Sequence, residues 1–163
     1  MNCENCGAAM RLVPDRNYFY CEHCTSFYFP PESAEGVRVL GELSDLECPV
    51  CHAPMVSASV AGARVLHCHN CRGLFMKQGA FAFVVSYLRV RTRDAPGQPR
   101  PLNRAHLRRK VLCPTCGSLM DTFPYHGPGN VVIDVCPRCA VIWLDYGELT
   151  LIAEAPGRDR RRA

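Results

Sequence analysis

The alternation of apolar and polar positions breaks this chain into short β-prone runs separated by turn residues. Tyr18-Phe19-Tyr20, Ala63-Arg64-Val65-Leu66-His67 and Val131-Val132-Ile133-Asp134-Val135 are rich in aromatic and β-branched side chains and predict strands. Pro14-Asp15-Arg16-Asn17, Ala61-Gly62 and Gly127-Pro128-Gly129-Asn130 precede them as turns. Phe81-Ala82-Phe83-Val84-Val85-Ser86-Tyr87-Leu88 is apolar on every side, which predicts an element buried against a neighbouring unit, with a partner or self-association surface as the alternative. Residues 37–46, Val37 through Leu46, predict a comparable short element. No apolar run approaches the roughly 18 residues that a membrane span needs.

Cysteine turns this pattern into a repeat. The 163 residues contain 12 cysteines, all in Cys-x-x-Cys pairs. The pairs are Cys3/Cys6, Cys21/Cys24, Cys48/Cys51, Cys68/Cys71, Cys113/Cys116 and Cys136/Cys139. They couple across 14, 16 and 19 intervening residues, close to the roughly 15–20 of four-cysteine zinc sites. The match extends beyond the ligands. Met10, Met55 and Met120 each stand four residues after a second cysteine. Tyr28, Phe75 and Trp143 each stand four after a fourth, flanked by Phe27/Phe29, Leu74/Met76 and Ile142/Leu144.

A unit of this size buries too little apolar surface to offset its chain entropy, and metal supplies the difference. Four thiolates on Zn²⁺ join two tight turns, and apparent binding energies of about 10–16 kcal/mol make metal binding and folding one event. The residue after each second cysteine is expected to need positive φ, which Gly7 and Gly117 meet without strain and His52 tolerates. The predicted fold is small, β-rich and metal-stabilised: three tandem four-cysteine zinc ribbons, each a knuckle, a hairpin and a second knuckle, followed by a short helix. Iron fits the same ligand set. Disulfides and thioredoxin-like redox pairs fit it less well, because the spacing is that of tetrads. A closed four-thiolate shell leaves no position for water, so neither metal catalysis nor a small-molecule substrate is expected.

Residues 113–152 contain Cys113-Pro114-Thr115-Cys116-Gly117-Ser118-Leu119-Met120, Val132-Ile133-Asp134-Val135-Cys136-Pro137-Arg138-Cys139 and Ile142-Trp143-Leu144-Asp145-Tyr146-Gly147-Glu148-Leu149. This resembles the bacterial zinc-ribbon family named for transcription factor IIB, with its Cys-Pro-x-Cys knuckle, Ile-Asp-x-Cys strand and Trp-Leu-Asp-x-Gly-Glu-Leu segment. Ala140 and Val141 stand where the family usually has glycine, which predicts a different turn in that knuckle. The second unit resembles the family more weakly, keeping Gly73, Phe75 and Gly79, with Lys77 in place of the aspartate. The resemblance implies a zinc ribbon and little about chemistry. Asp145 and Glu148 read as a capping box rather than an acid–base pair, and Trp143 as an apolar lid over its metal site or a binding anchor. His67 and His69 read as ordinary strand and knuckle residues beside a complete ligand set.

The formal charge of +4 hides strong segregation. Residues 1–47 carry 3 basic and 8 acidic side chains, residues 89–112 carry 8 and 1, and residues 113–155 carry 1 and 5. The expected organisation is ribbon 1 over 1–47, ribbon 2 with its apolar helix over 48–90, a basic Pro/Arg linker over 91–112, ribbon 3 over 113–155 and a basic tail over 156–163. Arg89, Arg91, Arg93, Arg104, Arg108, Arg109 and Lys110 are the candidates for sequence-independent contact with phosphate backbones. The alternative is a solvated linker in an arginine-rich chain, which has 17 Arg and 2 Lys. Phe81, Phe83 and Trp143 are the candidate partner surface. The N-terminal residues show no basic start leading into an apolar stretch, so a cytoplasmic, thiol-reducing setting is expected. The leading expectation is a non-enzymatic adaptor holding three structural zinc ions and docking a protein partner. Alternatives are a thiol redox switch or oxidoreductase using a labile site, and a transcription-associated nucleic-acid-binding protein.

Overall fold

The computed structural model describes residues 1–92, 101–125 and 130–155. Arg93, Pro96, Pro99, the turn residues Gly127-Pro128-Gly129 and the tail 156–163 lie outside them. In chain order the strands are β1 (Arg11–Val13), β2 (Tyr18–Tyr20), β3 (Phe27–Tyr28), β4 (Val37–Glu47), β5 (Pro54–Val60), β6 (Ala63–Cys68), β7 (Leu74–Lys77), β8 (Asp121–Pro124), β9 (Val132–Cys136) and β10 (Val141–Leu144). Helix α1 (Gln78–Arg91) follows β7, and α2 (Glu148–Glu154) follows β10. Neither helix is long and apolar enough to cross a membrane.

Each four-cysteine unit is a three-stranded antiparallel ribbon: β1-β2-β3, β5-β6-β7 and β8-β9-β10. The predicted strands Tyr18–Tyr20, 63–67 and 131–135 are the middle strands. Their turns behave as expected where described: Asn17, Ala61, Gly62 and Asn130 all have positive φ. Ribbons 2 and 3 are not independent beads. Strand β7 pairs antiparallel with β10, so the two ribbons share a seven-stranded sheet, β4-β5-β6-β7-β10-β9-β8. Leu74 faces Leu144, Phe75 faces Trp143 and Met76 faces Ile142 in this seam. These are the residues that recur four after the last cysteine and their neighbours. The sequence repeat is therefore converted into a pseudo-twofold centred on Phe75 and Trp143.

One side of the joint sheet carries the main core. Leu74, Met76, Ile142 and Leu144 pack there with Phe81, Val84 and Val85 of α1 and with Leu149 and Ile152 of α2. The apolar run 81–88 is thus a helix that closes the core with Phe81, Val84, Val85 and Leu88 and leaves Ala82, Phe83 and Ser86 exposed. Ribbon 1 keeps a separate sheet and a small core of Leu12, Phe19 and Leu40, with Met10 and Tyr28 against it.

Three expectations change. The segment after ribbon 1 is a strand, not a helix: Val37 and Val39 are β-branched, Gly41 sits at φ +82°, which a right-handed helix does not admit, and β5 offers an open edge that β4 fills. The end of the basic linker belongs to ribbon 3. Val111 is buried in the core of ribbons 2 and 3, its carbonyl accepts the Met120 amide at 2.8 Å, and Leu112 bridges to Leu119. The knuckle at Ala140 differs only in part: Ala140 takes φ +53°, as the equivalent residues do, but the amide hydrogen bond to the first cysteine's carbonyl that closes the other five turns is not among the described bonds there.

Candidate metal centres

Six tight turns bring the cysteines together. The residue after each second cysteine is left-handed: Gly7 at φ 75°, Thr25 at 59°, His52 at 58°, Arg72 at 60°, Gly117 at 69° and Ala140 at 53°. In five of the turns its amide donates to the carbonyl of the pair's first cysteine at 2.8–3.0 Å. The turn thereby points both thiols to its inside and leaves amides near sulfur. Val50 and Cys51 donate to Cys48 Sγ at 3.4 and 3.5 Å.

Three sites result: Cys3, Cys6, Cys21 and Cys24; Cys48, Cys51, Cys68 and Cys71; and Cys113, Cys116, Cys136 and Cys139. Sulfurs of opposite knuckles stand 3.5 Å apart in Cys3/Cys24, Cys6/Cys21 and Cys48/Cys71, 3.3 Å in Cys51/Cys68 and 3.7 Å in Cys116/Cys136. A disulfide would bring a pair to about 2.05 Å. Four thiolates at about 2.3 Å from one ion would lie about 3.8 Å apart. The spacing is that of a tetrahedral ligand cage, and the all-sulfur donor set is consistent with zinc. All twelve cysteines are free of disulfides. Cys24 is held down at about 6 by the Ser26 hydroxyl and amide, and Cys116 at about 6 by the same groups of Ser118, while burial and the neighbouring Cys51 thiol push Cys48 up to about 11.

The sites differ in their surroundings. Sites 2 and 3 share one apolar cluster in which Met55, Phe75, Val111, Met120, Val141 and Trp143 are buried. Site 1 is the open one, with Cys6 exposed and Cys24 half-buried. Trp143 is fully buried and spans the seam rather than lidding its own site alone. Its ring lies on Gly73 of ribbon 2, where an added Cβ would come within 2.2 Å of Cζ2, and its indole N–H donates to Asp145 Oδ1 at 3.1 Å.

The structure redistributes the remaining candidates. Arg89 is 1% exposed and caps the end of α2, donating to the carbonyls of Ile152 at 2.6 Å and Ala155 at 2.9 Å. Arg109 donates to both Asp134 and Asp145, tying the end of the linker to ribbon 3. Neither is available to phosphates, because each compensates buried acceptors of the protein. Arg91 lies over the Tyr87 ring at 4.0 Å. Arg104, Arg108 and Lys110 are exposed. Phe81 is core, and Trp143 is too buried to be a partner surface. Phe83, of that trio, is exposed.

Half of the predicted capping box forms. The Glu148 carboxylate accepts the Asp145 amide at 2.8 Å, while the Asp145 side chain turns instead to Arg109 and Trp143. Burial, then the Asp145 charge, pushes Glu148 up to about 8. His106 joins these carboxylates, 3.4 Å from Glu148 Oε1 and 3.9 Å from Asp145 Oδ2. Arg109 already supplies a cation there, so this group reads as an internal ion cluster. His67 is half-buried and stacks edge-on to His69 at 5.6 Å, apart from the thiol cage.

Sequence reasoning missed Phe27 and Phe29, which flank the recurring aromatic of ribbon 1 and are 57% and 56% exposed. Their counterparts Leu74, Met76, Ile142 and Leu144 are core. The signal lay in the repeat alignment itself, but its meaning depends on which ribbons acquire a helix.

Residues 47–82 and 112–155 match the model of the transcription factor zinc-finger family. No curated protein matches the chain, and no solved structure does.

Proposed function

We propose that this chain, which carries two zinc ribbons of the transcription factor zinc-finger family, is a non-enzymatic adaptor of the cytoplasm. It holds three structural zinc ions and acts through protein–protein contact. The observation that supports this most is the closure of all three thiol cages beside a large exposed aromatic surface on ribbon 1. A four-thiolate shell has no open coordination position for chemistry. An exposed patch of large apolar side chains is instead a surface that another protein covers. Arg104, Arg108 and Lys110 offer a smaller second surface, whose contact with nucleic acid would be sequence-independent.

The test is purification of the tagged full-length chain from its own cells with a high-salt wash, which strips phosphate contacts. The adaptor predicts a zinc-loaded chain that keeps a stoichiometric protein partner through the wash. A chain that elutes alone contradicts it. A redox switch is the second reading, favoured by the exposure of Cys6 in site 1. That reading predicts metal loss from site 1 alone under mild peroxide, and three metal equivalents surviving the same treatment contradict it.

A further inference from the structure

The three ribbons can be superposed residue by residue on their strand registers. Phe19 pairs with Tyr28 in ribbon 1, Leu66 with Phe75 in ribbon 2 and Asp134 with Trp143 in ribbon 3. Because neighbouring strand residues point to opposite faces, Tyr18, Tyr20, Phe27 and Phe29 form the other face of ribbon 1. Their counterparts in ribbon 3 are Ile133, Val135, Ile142 and Leu144, and in ribbon 2 Val65, Leu74, Met76 and the half-buried His67. All of these counterparts except His67 are buried in the core that α1 and α2 close.

Among the described residues, ribbon 1 is followed by no helix. The chain continues into β4, which pairs with β5 instead. The uncovered side chains form one connected aromatic surface: Tyr18 lies 5.3 Å from Phe27 and 5.2 Å from Phe29, and Tyr20 lies 5.2 Å from Phe27. Exposed Phe27 and Phe29 and half-buried Tyr18 and Tyr20 are grouped on one face, whereas the exposed apolar residues of an ordinary surface are scattered singly. The segments outside the described residues do not have the composition to cover it. Residues 93–100, Arg-Asp-Ala-Pro-Gly-Gln-Pro-Arg, 126–129, His-Gly-Pro-Gly, and 156–163, Pro-Gly-Arg-Asp-Arg-Arg-Arg-Ala, contain no large apolar side chain.

Resting on the adaptor reading, we propose that Tyr18, Tyr20, Phe27 and Phe29 seat an amphipathic helix of another protein, which covers ribbon 1 as α1 and α2 cover the corresponding faces of ribbons 2 and 3. The partner segment carries large apolar residues at i, i+3 or i+4, and i+7, the spacing that puts them on one side of a helix. Its contact is rich in aromatic anchors, the residue types that dominate binding energy at interfaces.

The test places a photo-crosslinking phenylalanine analogue at position 27 or 29 of the full-length chain in its own cells, and at Phe83 and Leu43 for comparison. The expected result is a crosslink from 27 and 29 into one segment of another protein, at sites recurring every three to four residues. That segment, made as a peptide, then gains helicity on binding the zinc-loaded chain. The double substitution Phe27→Ser/Phe29→Ser weakens this binding by about tenfold or more while the three metal ions are retained. Crosslinks to sites two residues apart, as in an added strand, overturn the proposal. So do crosslinks from 27 and 29 to a second copy of this chain. Crosslinks to another protein from Phe83 or Leu43 alone overturn it but leave the adaptor standing. No protein crosslink from any position overturns both.

Discussion

Phe75 and Trp143 occupy the same place in ribbons 2 and 3 and face each other across the β7–β10 seam. Tyr28, in the same place in ribbon 1, has no such partner and packs against Phe19 and Leu40. One repeated position therefore has two fates. In two units it joins a ribbon to its twin, and in the third it closes a small private core. The pairing fuses ribbons 2 and 3 into a double ribbon, to which ribbon 1 is added through β4 and local contacts such as Asn17 donating to the Gly62 carbonyl at 3.2 Å.

The seam depends on the absence of a side chain at position 73. Gly73 has no positive φ to explain it, but an added Cβ would meet the Trp143 ring at 2.2 and 2.4 Å and the Leu144 carbonyl at 3.0 Å. Gly73→Ala is expected to destabilise the fused unit by about 1–3 kcal/mol, the usual cost of overpacking. Urea denaturation followed by the emission of the single tryptophan, which lies at the seam, measures this directly.

Arg89 is expected to act through α2 and not through phosphates. Arg89→Met leaves the Ile152 and Ala155 carbonyls without their buried charged donor, at a cost of about 2–3 kcal/mol. Limited proteolysis should release the segment after β10 faster in this variant, with the metal content unchanged. An equally resistant variant would show that the cap is dispensable.

Two phenylalanines two residues apart should behave oppositely. Phe81→Ser opens the core and is expected to cost about 3–5 kcal/mol or prevent folding. Phe83→Ser changes a half-exposed side chain and should stay within about 0.5 kcal/mol of the parent. Thermal denaturation of the two metal-loaded variants separates the outcomes.

For nucleic acid, the exposed cationic residues of segment 101–112 are Arg104, Arg108 and Lys110, now that Arg109 is seen to be engaged internally. Replacing all three by alanine should lower the slope of log affinity against log salt by about 2–3, since each phosphate contact contributes about 0.9. Binding to any duplex or single strand that lacks this dependence removes the nucleic-acid surface from the account.

The metal cages and the middle strands were legible in the sequence because they follow from local rules: Cys-x-x-Cys spacing, β-branched runs and turn residues. The helix after β7 was legible as an apolar run and the Asp145–Glu148 cap as a pattern, though Asp145 spends its side chain on Arg109. What local rules do not contain is which ribbons pair. The β7–β10 seam joins residues nearly seventy positions apart, and it decides that Trp143 is core rather than surface. Segment 37–47 was mistaken because its place after a ribbon implied a helix, whereas its β-branched Val37 and Val39, Gly41 at φ +82° and the β5 edge make it a strand. Arg89 and Arg109 looked like part of a basic arm because charge along a sequence does not show which carbonyls or carboxylates the fold brings to meet it.

The central claim is that three closed four-thiolate metal sites hold this fold. It is tested most directly by counting, in mass spectra of the full-length protein, the metal ions bound under native conditions and the thiols that alkylate before and after a strong chelator. The account predicts three metal ions per chain, thiols protected in all three cages, and twelve reactive thiols once metal is removed. Fewer than three ions with cysteines paired as disulfides, or a full set of thiols alkylated without chelator, would contradict it.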